Sequence, residues 1–384
     1  MSKLKVVIIL IASLLLLSSC ISNEVIPEQE SNGQKIPTPV TQGKEMYKVK
    51  TPVKFNVARG SIINNIDNPL DINEIELGLM LLSMEHFSPE NFYFQEGQYL
   101  NTETINKWLK RESSEQTEGF NPPIKGSENV EQALKQEEEN PKIVSHILEQ
   151  NYVDKDGKTK GISLAISLNS FYYFQVSDNN GLIHSGNVKV DNNNNGTNDV
   201  KIYGENIAEN VVKRIRNNKK IPNVPILLTL YQEESRGSVV PGRFLSSTFI
   251  PEGKSGINDW DNIDKKYMEL PSGDAEKIDR YSSESFKNFN VDIEKNFTNL
   301  NIKVLGKGLY IDKTLSELSV DIETAGLSHP QLIALIQYVG AEIQSQVIPN
   351  TVPIKVNISS VKEAEAVLTW DPASQEIKTH IYNK

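Results

Sequence analysis

The sequence predicts an α+β protein: two related sheet-plus-helix units with mostly antiparallel or mixed sheets, preceded by a helical N-terminal segment. Three observations carry that expectation. A helical segment, 204–220, runs into Ile221-Pro222-Asn223-Val224-Pro225 and then the strand-like 226–231. The same order returns where a helix opening at Ser328 runs into Ile348-Pro349-Asn350-Thr351-Val352-Pro353 and the strand-like 354–358. A β-rich stretch precedes each, 162–202 in one and 300–322 in the other. A proline after a helix stops it, and a second proline opens the returning strand where no N–H is needed. Such self-similarity is the mark of a repeated unit, here a sheet with a helix laid on one face.

The elements follow in chain order. Asp71 and Glu74 resemble a capping box, after which Ile72, Ile75, Leu79 and Leu82 share one helical face. Ile105, Trp108 and Leu109 mark a second, shorter helix. Asn140 and Pro141 read as cap and first turn of a third, with Val144, Ile147 and Leu148 as its buried face. The charged stretch 112–139 reads as a surface loop with a solvated helix at 130–135. Asp154-Lys155-Asp156-Gly157 forms a turn, 162–168 alternates apolar and polar, and 171–176 is aromatic and β-branched. Ile207, Val211 and Ile215 line the first repeat helix. Leu332, Ile336, Val339 and Ile343 line the second, which Ser328 and Gln331 cap. The expected organisation is a signal peptide (1–19), a flexible tether (20–50), an N-terminal α+β domain (51–285) holding the first repeat unit at about 156–250, and a C-terminal α+β domain (290–384).

Composition limits function. The chain has 384 residues, 38% hydrophobic and 23% charged, a globular balance with room for two or three domains. A net charge of −10 argues against a nucleic-acid-binding body, because phosphate contacts need clustered Lys and Arg. The single Cys excludes an intramolecular disulfide and a Cys-based zinc site.

That cysteine, Cys20, closes the leader. Lys3 and Lys5 form a basic start, an apolar run follows, and Leu17-Ser18-Ser19-Cys20 ends it. The run is shorter than the roughly 20 apolar residues that span a bilayer. The ending resembles the bacterial lipobox: cleavage between Ser19 and Cys20 and a diacylglyceryl group on the Cys20 thiol, with or without an N-acyl chain on the new amino terminus. Loss of residues 1–19 removes Lys3 and Lys5 and leaves 38 basic against 50 acidic residues, a net charge of −12. Such a surface is repelled by anionic lipid, so acyl chains and not charge would hold the protein at the extracytoplasmic face of the cell membrane. Residues 21–50 carry Pro27, Pro37, Pro39, Gly33 and Gly43 without helical or strand period, as a tether does.

Chemistry-bearing motifs are few. Asp191, Asn193, Asn195, Gly196 and Asp199 fit part of a calcium loop, but Ile202 stands where a bidentate Glu is needed, and a polar turn is expected. His86, His146, His184, His329 and His380 have no metal-ligand spacing and read as surface or helix-end residues. Gly306-Lys307-Gly308 reads as a turn between strands. No metal or cofactor is expected beyond the Cys20 lipid, and no catalytic residue is assigned. Two segments ask for more than a structural reading: Phe92-Tyr93-Phe94-Gln95-Glu96-Gly97-Gln98-Tyr99-Leu100, and 231–272 with Glu233, Glu234, Arg236, Pro241-Gly242-Arg243-Phe244 and Asp259-Trp260. Glu96, Glu234, Arg236, Arg243 and Trp260 are the candidate binding residues, since guanidinium groups recognise planar anions and Trp offers a stacking face. An ion-paired structural loop is the alternative.

These segments, with Arg59-Gly60, Gly78-Leu79-Met80, Trp108-Leu109-Lys110-Arg111 and Gly119-Phe120-Asn121-Pro122, resemble the CamS family of sex-pheromone lipoproteins of Gram-positive bacteria. The resemblance implies that a short apolar peptide released from the leader acts as a pheromone inducing conjugative plasmid transfer. The comparable stretch is Val7-Ile8-Ile9-Leu10-Ile11-Ala12-Ser13. It implies no catalytic residues. Two other readings fit the residues: an envelope lipoprotein that binds a ligand or partner protein without a pheromone role, and a cell-wall hydrolase using Glu96 or Glu234.

Overall fold

The computed structural model describes residues 46–56, 58–190, 200–298, 300–361 and 363–382. The leader, Cys20, most of the tether segment and the Asn-rich 191–199 lie outside the described residues. Three sheets organise the rest. The first has seven strands in the order β1-β2-β3-β4-β7-β8-β9: β1 (Lys48–Val49), β2 (Tyr93–Glu96), β3 (Val144–Val153), β4 (Thr159–Leu168), β7 (Ile226–Gln232), β8 (Arg243–Ile250) and β9 (Asp261–Asn262). The second runs β10 (Lys265–Leu270), β11 (Lys303–Ile311), β12 (Thr314–Thr324), β13 (Ile354–Ser360), β14 (Ala364–Asp371) and β15 (Glu376–Ile381) in chain order. A separate hairpin pairs β5 (Phe171–Ser177) with β6 (Ile183–Lys189).

The repeat is visible in the pairing. In the first unit β3 and β4 are antiparallel, helix α5 (Val200–Asn217) crosses over, β7 returns parallel to β4, and β8 is antiparallel to β7. In the second, β11 and β12 are antiparallel, α8 (His329–Gln344) crosses over, β13 is parallel to β12, and β14 is antiparallel to β13. Ile162 lies opposite Ile226, and its N–H donates to Pro225 O at 3.1 Å. Leu318 lies opposite Ile354, and its N–H donates to Pro353 O at 3.0 Å. Each proline, which has no N–H to give, thus accepts the first bond of the parallel ladder. The units differ most where the chain leaves the sheet. The first inserts the β5–β6 hairpin between β4 and α5, whereas only residues 325–328 separate β12 from α8.

Apolar faces fix the layers. Ile207, Val211 and Ile215 of α5 pack with Ile162, Leu164, Ile166 and Leu168 on one face of the first sheet. Helices α1 (Arg59–Asn65) and α2 (Pro69–Ser83) cover the other, where Ile62, Ile75 and Leu79 meet Leu148, Ala165, Tyr231 and Phe244. In the second sheet Leu332, Ile336, Val339 and Ile343 of α8 join Phe286, Phe289 and Ile293 of α7 (Arg280–Asn296). Helix α6 (Gly273–Ile278) leads into α7. The second core also takes Met268 and Leu270 of β10, and α7 runs unbroken through 285–290. That core therefore begins well before residue 290. Smaller elements are α3 (Thr102–Trp108) and α4 (Val130–Glu139), the latter continuing four residues beyond the expected solvated helix.

Several expectations are corrected. Residues 144–153 form a strand, β3, and not a helix: all ten are buried because both faces are covered. Ile147 faces the α5 layer and Leu148 the α2 layer, and a register shift between Val144 and His146 completes the apparent helical spacing. His146, expected at the surface or a helix end, is consequently within a strand and 1% exposed. The α2 cap is Asn68, whose side chain accepts from Leu70 N at 3.0 Å; Asp71 points inward. Gly306 and Gly308 sit inside β11 and not in a turn. A Cβ on Gly306 would lie 2.6 Å from Cζ of Phe286, so the missing side chain lets the α7 ring lie against the strand.

Candidate functional site

The segments that stood out in the sequence are held by buried polar clamps. Asp71, fully buried, accepts from Tyr231 Oη at 2.7 Å, Glu234 N at 3.0 Å and Gly242 N at 2.6 Å. Asn68 Nδ2 reaches Ser235 O and Ser238 O at 3.4 and 3.3 Å. Gly242 must lack a side chain, since a Cβ there would lie 1.9 Å from Gln232 O. The 233–242 loop is thereby fixed at the end of β7. Burial pushes the Asp71 carboxyl up to about 6, against the lowering effect of its three donors.

A second clamp holds the Phe92–Leu100 block. The Glu149 carboxylate, 2% exposed, accepts from the backbone N–H groups of Gln98 at 3.0 Å, Tyr99 at 3.1 Å and Leu100 at 2.6 Å. Gly97 lies flush against it, a Cβ falling 2.6 Å from Glu149 Cβ. A third holds 119–122. Asn121 Oδ1 accepts from Ile143 N and Val144 N at 2.7 and 2.8 Å, while its Nδ2 donates to Leu109 O and Val144 O. Trp108 packs edge-on to Phe120 with ring centroids 5.6 Å apart.

Beside the inserted hairpin lies a groove of about 830 Å³, to which the clamped 233–242 loop contributes Arg236. Tyr172, Tyr173 and Phe174 of β5 form one wall, Lys110, Arg111 and Lys142 another, and Arg236 stands at the edge. Arg111 is locked: it donates to Pro122 O at 2.8 Å and Asn140 O at 2.7 Å and pairs with Glu137, which also accepts from Tyr172 Oη at 2.8 Å. Burial and that carboxylate push the Tyr172 hydroxyl up to about 12. Burial, and then Arg111, lower the Lys142 ammonium. Arg236 is exposed, stacks on Tyr173 at 4.4 Å and pairs with Asp67 at 2.6 Å. Among the described residues Glu137 is the only carboxylate in the groove lining, against four cations. Planar cations, aromatic faces and two lysines suit an anionic ligand with a stackable or extended body.

The five candidate residues do not converge. Arg236 lines this groove, and Glu234 is exposed nearby, its backbone rather than its side chain bound to Asp71. Arg243 is exposed on β8 opposite Gln232. Trp260 is half-buried against the first core. Glu96 lines a separate cleft beneath α2, so Glu96 and Glu234 form no carboxylate pair. Lys110 and Arg111 stood out only within the family-like stretch 108–111, and Lys142 and the β5 tyrosines were not read as binding residues, because the groove exists only once the hairpin folds back toward α4.

Behind the clamped loop lies a buried acid that sequence reasoning did not single out for burial. Glu233 is 4% exposed, accepts from Ser145 Oγ, and is pushed by burial up to about 8. His146 next to Ser145 is pushed down to about 4 by the same cause. Between pH 6.5 and about 8 the folded chain retains the Glu233 proton that the unfolded chain has lost, so stability falls as pH rises. Between pH 4.5 and 6.5 His146 opposes this, because the unfolded chain then binds the imidazole proton that the fold refuses. The expected result is a loss of about 2 kcal/mol between pH 6.5 and 8, removed in Glu233→Gln. Urea unfolding at the two pH values checks it; an unchanged slope in the variant would refute the assignment.

A family model described as the CamS sex pheromone cAM373 precursor matches residues 54–376. A crystal structure of a sex pheromone precursor from Lactobacillus salivarius subsp. salivarius UCC118 superposes with a TM-score of 0.77 at 28% identity, covering 92% of this chain and 100% of that one. The C-terminal domain of the sex pheromone staph-cAM373 precursor from Staphylococcus aureus gives 0.64 at 26% identity, covering 83% and 99%. No curated protein matches the chain. With the family model spanning most of its length and the same fold in a solved precursor, the chain belongs to the CamS sex pheromone precursor family.

Proposed function

We propose that the chain is a lipid-anchored, extracytoplasmic sex pheromone precursor. The observation that carries this reading is the placement of the lone cysteine, directly after Leu17-Ser18-Ser19 at the end of a short apolar leader. Cys20 takes the diacylglyceryl group, cleavage follows Ser19, and the released leader supplies Val7–Ser13 as the apolar pheromone. Two acyl chains anchor stably where one does not. Among the described residues no helix is long and apolar enough to cross a membrane, so the body itself supplies no helical span. The body is a non-catalytic binding module that offers the Arg236–Tyr173 groove to an anionic envelope ligand or partner protein.

The test uses cells fed an alkyne-tagged fatty acid and expressing either the full chain or Cys20→Ala. The expected result is label on the wild-type protein and none on the variant, with pheromone activity in the spent medium reduced at least tenfold for the variant. Label on both, or on neither, would refute the anchor. Equal activity in the medium would refute the leader as the pheromone source.

A further inference from the structure

Two of the cations that line the groove beside the hairpin are already engaged. Arg111 commits its guanidinium to Pro122 O, Asn140 O and Glu137, and Arg236 is held by Asp67 and the Tyr173 ring. Lys110 and Lys142 differ: among the described residues neither ammonium forms a salt bridge or a side-chain hydrogen bond. Their backbones are nonetheless pinned. Lys110 O accepts from Asn121 N at 3.1 Å, and Lys142 O accepts from Asn169 Nδ2 at 3.0 Å. The main chain thus serves the fold at both positions while the charged ends stay available to a ligand. Lys142 is half-buried, and burial and then Arg111 weigh against its ammonium more than Glu137 favours it. An anion at its Nζ would relieve both.

The kind of anion follows from which cations are taken. The planar forks that grip a carboxylate through two bonds are both occupied by protein carboxylates. What remains is a pair of compact point charges, which suits the more diffuse charge of a phosphate diester. The hairpin wall supplies neutral partners. Strand pairing sets Tyr173 opposite Asn187 and Gln175 opposite Ser185, so a phenol, two amides and a hydroxyl share one face. Gln175, Ser185 and Asn187 are exposed and line the groove. Amides and hydroxyls both donate and accept, as the hydroxyl groups and ester oxygens of a ligand require. An acidic polypeptide has carboxylates and few hydroxyls, and matches these groups less well.

We propose that the groove binds a hydroxyl-bearing chain joined by phosphate diesters, its phosphates on Lys110 and Lys142 and its hydroxyls on Gln175, Ser185 and Asn187. This rests on the reading of the body as a module for an anionic ligand, and names the chemistry of that ligand.

The probe is a synthetic oligomer of 1,3-linked glycerol phosphate with a fluorophore at one end. Poly-L-glutamate of matched charge is the carboxylate control, and oligoglycerol the uncharged one. The full chain is held on phosphatidylcholine vesicles, and protein-free vesicles give the background. Saturable binding of glycerol phosphate is expected, at least tenfold tighter than that of poly-L-glutamate, with no binding of oligoglycerol. Lys110→Gln with Lys142→Gln should weaken it about tenfold or more, and Gln175→Leu with Asn187→Leu about fivefold. These side chains lie outside the clamps, so the urea midpoint of each variant should stay at the wild-type value. Equal affinity for poly-L-glutamate would overturn the phosphate assignment and leave the anion-binding groove standing. Binding of neither polyanion would overturn both. Binding of glycerol phosphate undiminished in the lysine double variant, or matched by oligoglycerol, would overturn the proposal.

Discussion

Replacing Asp71 with alanine is expected to cost 3 kcal/mol or more of stability, taking each buried donor left without a partner at about 1–3 kcal/mol. Three donors lose their acceptor at once: Tyr231 Oη, Glu234 N and Gly242 N. Two of these donors cannot retreat to water, because Gly242 is buried and packed against the carbonyl of Gln232, and Tyr231 is 0% exposed, whereas Glu234 is exposed and contributes least. Asp71→Asn should fall between, since its amide oxygen replaces one acceptor while its NH₂ meets an N–H. Urea unfolding with an unchanged m-value measures the loss. Amide exchange at Glu234 and Gly242 should quicken in Asp71→Ala more than exchange in β12 and β13. A stability within 1 kcal/mol of the wild type would show that the 233–242 loop is held by something other than this carboxylate.

Glu149→Ala should have an effect of similar size for the same physical reason at the other clamp. Its carboxylate collects three consecutive N–H groups, charge-assisted bonds that are stronger than neutral ones. Burial works against it by raising the carboxyl above the usual range, so part of the gain from these bonds offsets desolvation. The expected cost is about 3 kcal/mol, with exchange quickening at residues 98–100 and little change at 234–242. Because the clamps lie on different segments and share no partner, the double variant should be close to additive. Strong coupling between them would contradict the picture of separate local fasteners.

These clamps explain why the segments that stand out in the sequence are mostly scaffold. Phe92–Leu100 and Pro241–Phe244 look like binding motifs because they mix aromatics, acids, amides and glycines. In the fold Gly97 and Gly242 are required by backbone approach, and the polar atoms around them serve Glu149 and Asp71. Long-range partners of this kind, 49 to 171 residues apart in the chain, leave no local pattern. The repeat was legible, because each unit carries its own helical stripe and two-proline junction, signals confined to a short window. Strand β3 was not, because burial on both faces erases the alternation that marks a strand, and its residual spacing imitates a helix. Of the groove lining, Arg236 alone was among the candidate binding residues. Its lysines and tyrosines come from three separate segments, and a lone Lys or Tyr by itself says nothing.

The division between scaffold and surface also bears on where variation in ligand belongs. The inserted β5–β6 hairpin distinguishes the first unit from the second and supplies the aromatic wall of the groove. Changes confined to Tyr173, Arg236 or Lys142 leave every clamp intact, so under the proposed binding role ligand preference can shift there without endangering the fold.

The most direct test of the account is the intact mass of the amino-terminal peptide from protein extracted from native membranes. The account predicts a polypeptide that begins at Cys20 and carries the mass of a diacylglyceryl thioether, with or without an N-acyl chain. Unacylated protein in the cytosol, still beginning at Met1 or Ser2, would contradict it.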